Sequence, residues 1–385
     1  MTMRRALAAV ALLAIILAGC GSDQEPPLAA TPSEVATATP APSTPRSTPS
    51  DDTEDTASTT VPAVSETPTP TSATAGMSAG PRAPRYGIAG LVPPNFPDSS
   101  DADWLTFFAA LPNLGGAVGN YSQVADLLQN QEVGLAAGLD VLPVTGFHQD
   151  QNSGLEVTVD FTNPVERAIF LDAIVGFATD YRPPYLGVGN EVNRVWEEDP
   201  AAFEAWVAAL PEIVDAVRAA SPGTQVFATF QYEFLRGLDE ITGAGRVEDW
   251  TPLEVAAPHL DLVAFTSYPY FAYDTPEDLP ADYYAAIAQH TDRPVGFTEL
   301  GWPSAGIGPL AGSAVEGLGG TPEEQSAFIE RLDALLAPVD PAFAMWVWAY
   351  DTSAVGPTFE SLGLSEEGGE PKPALEAWQS FVERE

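Results

Sequence analysis

Two glutamates stand at the ends of apolar segments and could act as a chemical pair. Glu191 follows the segment YLGVGN at 185–190, and Glu299 follows PVGFT at 294–298. A carboxylate at the end of a buried strand is costly without a partner, so its position needs a reason. A single glutamate of this kind usually belongs to a structural ion pair, whereas two in equivalent positions indicate function. Cleavage of a glycosidic bond requires one protonated and one ionised carboxyl group.

The elements that must position these glutamates are short β-prone segments, which alternate with longer amphipathic segments from residue 86 onward. Alternation of this kind predicts parallel strands joined by crossover helices. The predicted strands are at 85–91, 116–121, 140–147, 185–192, 225–231, 262–268, 294–300 and 343–350. Capping residues and early prolines predict helices that start near residues 101, 121, 164, 200, 280, 322 and 373.

Eight strands with following helical segments predict an α/β fold, the closed (β/α)8 or TIM barrel. A doubly wound sheet would need a glycine-rich phosphate loop after the first strand, but GIAG at 87–90 is followed by LVPP rather than by a helix. Active sites of barrels lie at the C-terminal ends of the strands. Strands four and seven lie on opposite sides of a narrow barrel, which suits the roughly 5–5.5 Å carboxylate separation of a retaining glycosidase.

Three motifs resemble those of clan A of the glycoside hydrolases, and most closely those of glycoside hydrolase family 17, the β-1,3-glucanase family. They are VGNEV at 188–192, SYPYFAY at 267–273 and TELGWPSAG at 298–306. The resemblance covers 86–385. It implies that Glu191 is the acid/base, that Glu299 is the nucleophile, and that Asn190 binds the sugar 2-hydroxyl. It also implies that Tyr268 donates its hydroxyl to Glu299.

Aromatic side chains are the expected platforms for the apolar faces of sugar rings. Trp302 follows the nucleophile, and Trp348 lies near the end of the eighth strand, so both are predicted to bind substrate. Period two places Trp346, Trp348 and Tyr350 on one face of that strand, and only the residue nearest the mouth would line the site. The aromatic residues of the segment 270–273 fit either an outer subsite or a packed loop.

One feature departs from the clan, whose members usually carry an arginine near the end of strand two. The segment GAVGNY at 116–121 contains none. Either the strand is assigned wrongly, or Asn120 or another donor takes the place of the arginine. Glu233, just beyond strand five, is interpreted as a surface carboxylate rather than a subsite contact.

The first twenty residues resemble a bacterial lipoprotein signal peptide with a lipobox. Arg4 and Arg5 precede an apolar stretch, which ends in LAGC with Cys20 as the only cysteine of the chain. This predicts lipidation of Cys20 and an extracytoplasmic protein anchored to the cell membrane. The segment 21–85 is rich in Thr, Pro, Ser and Ala and has no aromatic residue, so we expect a disordered tether before the catalytic domain at 86–385.

The net charge of −39 disfavours nucleic acid and anionic polymers as partners and fits a neutral or cationic one, although it could equally serve solubility alone. Three separated histidines and one cysteine lack metal-ligand spacing, so neither a metal nor an organic cofactor is expected. The sequence predicts a monomer that cleaves a β-linked polysaccharide, such as β-1,3-glucan, with two glutamates. The alternatives are a transglycosylase with the same residues and a catalytically silent polysaccharide-binding lipoprotein.

Overall fold

The structure of the protein is a computed structural model that describes residues 85–123, 131–132, 134–135, 138–151, 154–238, 246–307 and 319–384. The predicted signal peptide, Cys20 and all but the last residue of the predicted tether lie outside the described residues. Their assignments therefore remain predictions. Within the described ranges, no helix combines the length and the apolar character needed to cross a membrane.

Eight parallel strands close into a barrel, which confirms the predicted (β/α)8 fold. In chain order they are β1 Tyr86–Ile88, β2 Ala117–Gln123, β3 Asp140–Gly146, β4 Tyr185–Gly187, β5 Gln225–Gln231, β6 Leu262–Ser267, β7 Val295–Leu300 and β8 Ala344–Trp346. Each strand pairs with the next one in the chain, and β8 pairs with β1 to complete the ring. The C-terminal ends of all eight strands therefore face the same mouth.

Strand side chains alternate between the barrel interior and the helix layer. The interior is filled by Ala89, Ala117, Leu142, Val144, Tyr185, Phe227, Leu262, Ala264, Phe343 and Met345. Alternate residues such as Val118, Leu186 and Phe265 belong to the larger core between strands and helices. Because both faces are buried, the strands are nearly continuous apolar runs, which made them recognisable from the sequence.

The helix layer follows the capping signals. Its α-helices are α1 Asp101–Ala110, α2 Pro164–Tyr181, α3 Val192–Glu198, α4 Pro200–Ala220, α5 Tyr232–Leu235, α6 Thr251–Ala256, α7 Pro322–Leu336 and α8 Pro373–Arg384. Asn163, Asp199 and Thr321 each accept a hydrogen bond from a backbone N–H in the first turn of the following helix. Short 3₁₀ helices complete the connections at Leu111–Leu114, Ala257–His259, Pro269–Phe271, Pro276–Asp278, Tyr283–Gln289 and Ser353–Val355.

Several element boundaries differ from the prediction. The helix predicted at 121–130 is wrong at its start, because residues 121–123 extend β2 and pair with β3; residues 124–130 lie outside the described part. The helix predicted at 280–290 is instead the 3₁₀ helix Tyr283–Gln289. The predicted eighth strand breaks at a bend at Val347, and Trp348–Tyr350 then pairs with Gly363–Ser365 in a separate two-stranded sheet.

A buried ion pair ties the segments that follow β7 and β8 together. Lys372, the only lysine of the chain, lies 2.5 Å from Asp351 Oδ2 and donates to Ser304 Oγ and to the Gly363 carbonyl oxygen. Burial raises the pKa of Asp351 to about 6, although Lys372 opposes that shift. These contacts fix the segment that follows Glu299 against the C-terminal part of the barrel.

Candidate active site

The two predicted glutamates both lie at the barrel mouth. Glu299 is the penultimate residue of β7, and Glu191 lies four positions beyond Gly187, the last residue of β4. Both side chains are half-buried. Their placement at the C-terminal ends of strands is where barrel enzymes carry their catalytic groups.

Glu191 takes a left-handed backbone conformation, with φ 43° and ψ 46°. Such angles are unfavourable for a residue with a side chain and persist only when the surroundings hold them. Here the Glu191 N–H donates to Thr229 Oγ1 at 2.6 Å, and the residue caps the start of α3. This turn changes the direction of the backbone between β4 and α3, and it points the Glu191 side chain into the mouth.

Thr229 also orients Asn190. Its hydroxyl, which accepts the Glu191 N–H, donates to Asn190 Oδ1 at 2.9 Å, and Thr229 itself is fully buried. Since Oδ1 is occupied, the Asn190 amide presents its Nδ2 donor to any ligand in the mouth. No hydrogen bond joins Nδ2 to another residue in the described part of the chain.

The two carboxylate oxygens of Glu191 have different surroundings. Oε1 accepts a 2.6 Å hydrogen bond from the buried Thr266 hydroxyl on β6. Oε2 lies 3.6 Å from Arg194 Nη1, one turn along α3, and 17% of the Glu191 side chain is exposed. The Glu191 carboxylate is therefore anchored through Oε1 while its side chain stays partly exposed at the mouth.

A β-bulge aims Glu299 into the mouth. In the pairing of β6 with β7, Phe265 lies opposite Phe297 but Thr266 lies opposite Glu299, so Thr298 is an extra residue. Simple alternation would turn Glu299 toward the helix layer, because Gly296 lies against the interior residue Phe343. The bulge reverses that direction, a recurrent use of bulges beside active sites.

Two tyrosine hydroxyls reach Glu299. Tyr268, at the end of β6, donates to Glu299 Oε2, the contact that the motif resemblance implied. Tyr121, on β2, donates to the Thr298 carbonyl oxygen at 2.8 Å, and its nearby hydroxyl lowers the pKa of the Glu299 carboxyl group. Burial and the Glu299 carboxylate raise the pKa of both hydroxyls well above its ordinary value, so both remain donors.

Thr266 joins the two halves of the site. It pairs in register with Glu299 and donates its hydroxyl to Glu191, so the two carboxyl groups lie close to each other. Burial and the neighbouring Glu191 carboxylate raise the pKa of Glu299 to about 8, although Tyr268 and Tyr121 lower it. Two carboxyl groups this close do not both ionise readily, so the arrangement favours one acid and one ionised carboxylate near neutral pH.

Glu233 is not the surface carboxylate that the sequence predicted. It is fully buried, and its two oxygens accept hydrogen bonds from Gln231 Nε2, Ser267 Oγ, Tyr283 Oη and the Tyr268 N–H, at 2.7–3.0 Å. Burial raises its pKa, and the Ser267, Tyr268 and Tyr283 hydrogen bonds oppose the shift. Three of the four donors come from two distant segments of the chain, so no local pattern could have revealed this site.

Tyr268 connects Glu233 to the mouth. Its backbone N–H donates to Glu233 Oε2 at 3.0 Å, while its hydroxyl donates to Glu299. Its ring stacks on Phe271 with centroids 5.6 Å apart and meets the edge of Phe359 at 5.1 Å. The hydroxyl is therefore held in place from the backbone, from both sides of the ring and from the carboxylate.

Trp302 cannot bind substrate as predicted. Its side chain is fully buried, packing against Phe328 of α7 at 5.5 Å and against Tyr270 at 6.2 Å. The segment after Glu299 thus turns its tryptophan into the core between barrel and helices. The prediction was wrong because proximity in sequence to the nucleophile was taken for proximity in space.

Trp348 lies at the mouth side of the barrel but exposes only 9% of its surface. Its ring fills the space beside Gly90, where a Cβ would lie 2.2 Å from Trp348 Cζ3. Trp346 instead packs on Phe328 and Trp378 in the helix layer, because the bend at Val347 interrupts period two. Trp348 therefore offers a ligand only a small part of its ring surface.

Other candidate groups have structural roles. Tyr270 is buried and donates to the Thr358 carbonyl oxygen at 2.9 Å, and Phe271 is buried beside it, which favours a packed loop over an open subsite. His290 stacks on Trp250 with centroids 4.2 Å apart. Among the residues that the structure describes, no group of three or more His, Cys, Asp or Glu side chains could hold a metal ion.

A cavity of about 650 Å³ lies at the other end of β7, where Val295 begins the strand. It is lined by residues 287–293 and by Val295, Pro338 and Val339. Neither glutamate of the mouth contributes to its lining. It is therefore distinct from the site built by Glu191 and Glu299.

Comparison with known proteins finds similar folds among solved structures. No protein-family model matches the sequence, and no curated protein matches it significantly. Among solved structures, β-glucuronidase 2 of Bacteroides uniformis is similar at a TM-score of 0.54 and 14% identity over 79% of this chain and 36% of that one. A GH5_18 protein of Streptomyces cattleya is similar at a TM-score of 0.53 and 18% identity over 79% and 81% of the two chains.

The structural neighbours also include glycoside hydrolases of families 17 and 39. The family 17 β-1,3-glucanosyltransferase of Rhizomucor miehei has a TM-score of 0.48 and 15% identity, over 72% of this chain and 92% of that one, which does not single out that family. At these identities the likeness shows the barrel fold that the chain shares with glycoside hydrolases, and its chemistry must be argued from its own residues.

Proposed function

We propose that the protein is a retaining glycoside hydrolase that cleaves a β-linked polysaccharide, with β-1,3-glucan as the expected substrate. The observation that carries this proposal is the placement of Glu191 and Glu299 at one barrel mouth, where Thr266 donates to Glu191 and Tyr268 donates to Glu299. Burial and the neighbouring Glu191 carboxylate raise the pKa of Glu299, which favours one protonated and one ionised carboxyl group. Glycosidic cleavage needs this combination of an acid with an ionised carboxylate.

In the proposed mechanism, Glu191 protonates the leaving oxygen while Glu299 attacks the anomeric carbon to form a glycosyl-enzyme. Glu191 then takes a proton from water, which attacks the same carbon and releases the sugar with retained configuration. The proton must lie on Glu191 when substrate is bound. The tyrosine hydroxyls near Glu299 favour this arrangement, because they lower the pKa of that carboxyl group and so favour its ionised form.

Asn190 and Trp348 would position the sugar. The Thr229 hydrogen bond to Asn190 Oδ1 leaves Nδ2 as a donor for the sugar 2-hydroxyl, a contact that strengthens toward the transition state. Trp348 would border a subsite with the small exposed part of its surface. A neutral polysaccharide agrees with the net charge of −39, which disfavours anionic polymers and nucleic acid.

For the N-terminal segment we retain the proposal of a lipid anchor on Cys20 with residues 21–85 as a tether, which would hold a monomeric catalytic domain outside the cytoplasm. The LAGC motif and the aromatic-free composition support it. Substitution of Cys20 by Ala should move the protein from the membrane fraction to the soluble fraction and abolish labelling by a fatty-acid analogue. Equal labelling of both proteins would contradict the anchor.

The experiment that tests the proposed function is a polysaccharide panel of laminarin, lichenan, galactan, mannan and xylan, with the products separated by size. An endo-acting hydrolase should produce shorter oligosaccharides from at least one β-glucan, and the Glu299→Gln variant should produce none. Products longer than the starting chains would identify a transglycosylase instead. Binding without any product would identify a polysaccharide-binding protein and would refute hydrolysis.

A further inference from the structure

Tyr121 reaches Glu299 from a distant strand. It lies on β2, whereas Glu299 lies on β7, and β1 and β8 separate these two strands around the ring. Its side chain enters the barrel interior beside the interior core, and its hydroxyl donates to the Thr298 carbonyl oxygen at 2.8 Å. The Tyr121 ring therefore spans the inside of the barrel directly below the mouth.

The packing of β2 makes Tyr121 the donor that this strand can offer. A Cβ at Gly119 would lie 2.1 Å from the Ala89 carbonyl oxygen and 2.7 Å from Tyr121 Cε2, so no side chain fits there. Asn120 points to the opposite face of the strand, where Ser122 Oγ donates to its Oδ1 at 2.8 Å. Tyr121 is thus the residue of this segment that faces the glutamates, and its ring covers the glycine.

The Tyr121 hydroxyl lies near two possible acceptors, which distinguishes it from Tyr268. It donates to the carbonyl oxygen of Thr298, the extra residue of the β7 bulge. The carboxylate of Glu299, the next residue, accepts from Tyr268 and lies close enough to the Tyr121 hydroxyl for that hydroxyl to lower its pKa. A hydroxyl has one proton to donate, so Tyr121 can favour only one of these acceptors at a time.

We propose that Tyr121 is a positioning residue for Glu299 that moves its hydrogen bond between the carboxylate and the Thr298 carbonyl oxygen as the charge of Glu299 changes. This inference rests on the proposed function. The hydroxyl donates to Glu299 while that carboxylate is ionised and ready to attack. When Glu299 becomes neutral, by protonation or by bonding to a sugar, the hydroxyl donates to Thr298.

This arrangement stabilises charge without leaving a buried donor unpaired. A hydrogen bond to an ionised group is stronger than one to a neutral group, so the carboxylate attracts the hydroxyl only while it is charged. When Glu299 is neutral, the Thr298 carbonyl oxygen accepts the hydrogen bond of Tyr121 in place of the carboxylate, so the buried hydroxyl is never left unsatisfied. Glu191, Tyr268 and Tyr270 are the other titratable groups that act on or near Glu299, and Arg194 lies behind Glu191.

The test is a measurement of the Glu299 pKa from carboxyl ¹³C chemical shifts, without substrate, in the wild type and in Tyr121→Phe. The variant keeps the ring over Gly119 and removes only the hydroxyl. We expect it to raise the pKa of Glu299 by about one unit. The matched control is Tyr185→Phe, which alters a tyrosine of the same barrel interior and should leave the Glu299 pKa unchanged.

A second measurement uses the unaltered protein, in case the variant folds poorly. The ring ¹³Cζ shift of Tyr121 should change with pH at the same midpoint as the Glu299 carboxyl shift, because the hydroxyl changes acceptor there. An unchanged Glu299 pKa in a folded Tyr121→Phe protein, or a Tyr121 signal insensitive to that midpoint, would overturn the proposal. Since neither measurement needs turnover, a chain that cleaves no glycan but shows both shifts would refute the proposed function alone.

Discussion

Glu191 and Glu299 enter the same barrel mouth by different structural means. Glu191 depends on a left-handed backbone turn, and the short hydroxyls of Thr229 and Thr266 hold its backbone and its carboxylate. Glu299 depends on a β-bulge, and the long side chain of Tyr268 holds its carboxylate while the Tyr121 hydroxyl lies close by. The Glu191 carboxylate thus accepts from a threonine and faces an arginine, whereas the Glu299 carboxylate accepts from a tyrosine and has no ion pair among the described residues.

The difference assigns a different task to each residue. A nucleophile must keep its orientation and be ionised when it attacks, and the tyrosine hydroxyls near Glu299 support both. An acid/base must exchange a proton with the ligand, and Glu191 suits that task because its side chain is partly exposed at the mouth and faces Arg194 through Oε2. Because the two glutamates are held differently, substitutions can weaken one of them without altering the other.

The largest effect should follow loss of either carboxylate. Glu299→Gln removes the nucleophile and should lower kcat roughly 10⁴-fold or more. Glu191→Gln removes the acid/base and should lower it roughly 10²–10⁴-fold, least for substrates with good leaving groups. Steady-state kinetics on a polysaccharide and on an activated aryl β-glycoside would measure both effects. Equal losses on both substrates for Glu191→Gln would contradict the different tasks.

A smaller effect is expected when a tyrosine donor is removed. Tyr268→Phe should raise the pKa of Glu299 and lower kcat/KM roughly 10–100-fold, because an ionised carboxylate loses a hydrogen bond. Tyr270→Phe is the matched control, since that hydroxyl donates to the Thr358 carbonyl oxygen and not to Glu299. The pH profile of kcat/KM measures the effect. An acidic limb at the same pH in Tyr268→Phe and wild type would count against the role of Tyr268.

The Glu191 side should respond more weakly. Thr266→Val removes the hydroxyl donated to Oε1 and should lower kcat/KM roughly 2–10-fold, whereas Thr266→Ser, which keeps a hydroxyl, should restore most of it. The basic limb of the pH profile should also move to higher pH in Thr266→Val, because the hydroxyl stabilises the ionised form of Glu191. A loss that serine does not restore would show that Thr266 acts through packing.

The last effect concerns stability rather than catalysis. The pKa of Glu299 is raised from 4.5 to about 8 in the folded protein, so the folded state holds a proton that the unfolded state releases above pH 4.5. Wild-type stability should therefore fall as pH rises from 4.5 to 8, and Glu299→Gln should lack that loss. We expect the variant's Tm to exceed that of the wild type at pH 8, with the difference disappearing near pH 4. A Glu376→Gln variant on the exposed surface of α8 is the control.

The barrel could be predicted because its signals are local. Apolar runs buried on both faces mark the strands, and capping residues such as Asn163 and Thr321 mark helix starts. Two predicted strands near the site, 185–192 and 343–350, extend past points where the backbone departs from regular geometry. These are the left-handed turn at Glu191 and the bend at Val347, where strand periodicity stops.

The site was predictable only in part, because its supports are long-range. The glutamates and Tyr268 followed from position and motif, whereas the burial of Glu233 depends on Ser267 and Tyr283, 34 and 50 residues away. The direction of Glu299 depends on a bulge that appears only when β6 and β7 are paired. The prediction that Trp302 binds substrate was wrong for the same reason, because the path of the backbone after the bulge determines which side chain faces the core.

The most direct test of the two assigned tasks is the anomeric configuration of azide adducts. Glu299→Ala and Glu191→Ala would each be incubated with azide and an activated aryl β-glycoside of the sugar that the polysaccharide panel identifies. With Glu299 absent, azide should attack in its place and yield the inverted α-glycosyl azide. With Glu191 absent, azide should attack the glycosyl-enzyme from the leaving-group side and yield the β-glycosyl azide. The opposite configurations would exchange the two roles, and no adduct from either variant would contradict the paired-glutamate account.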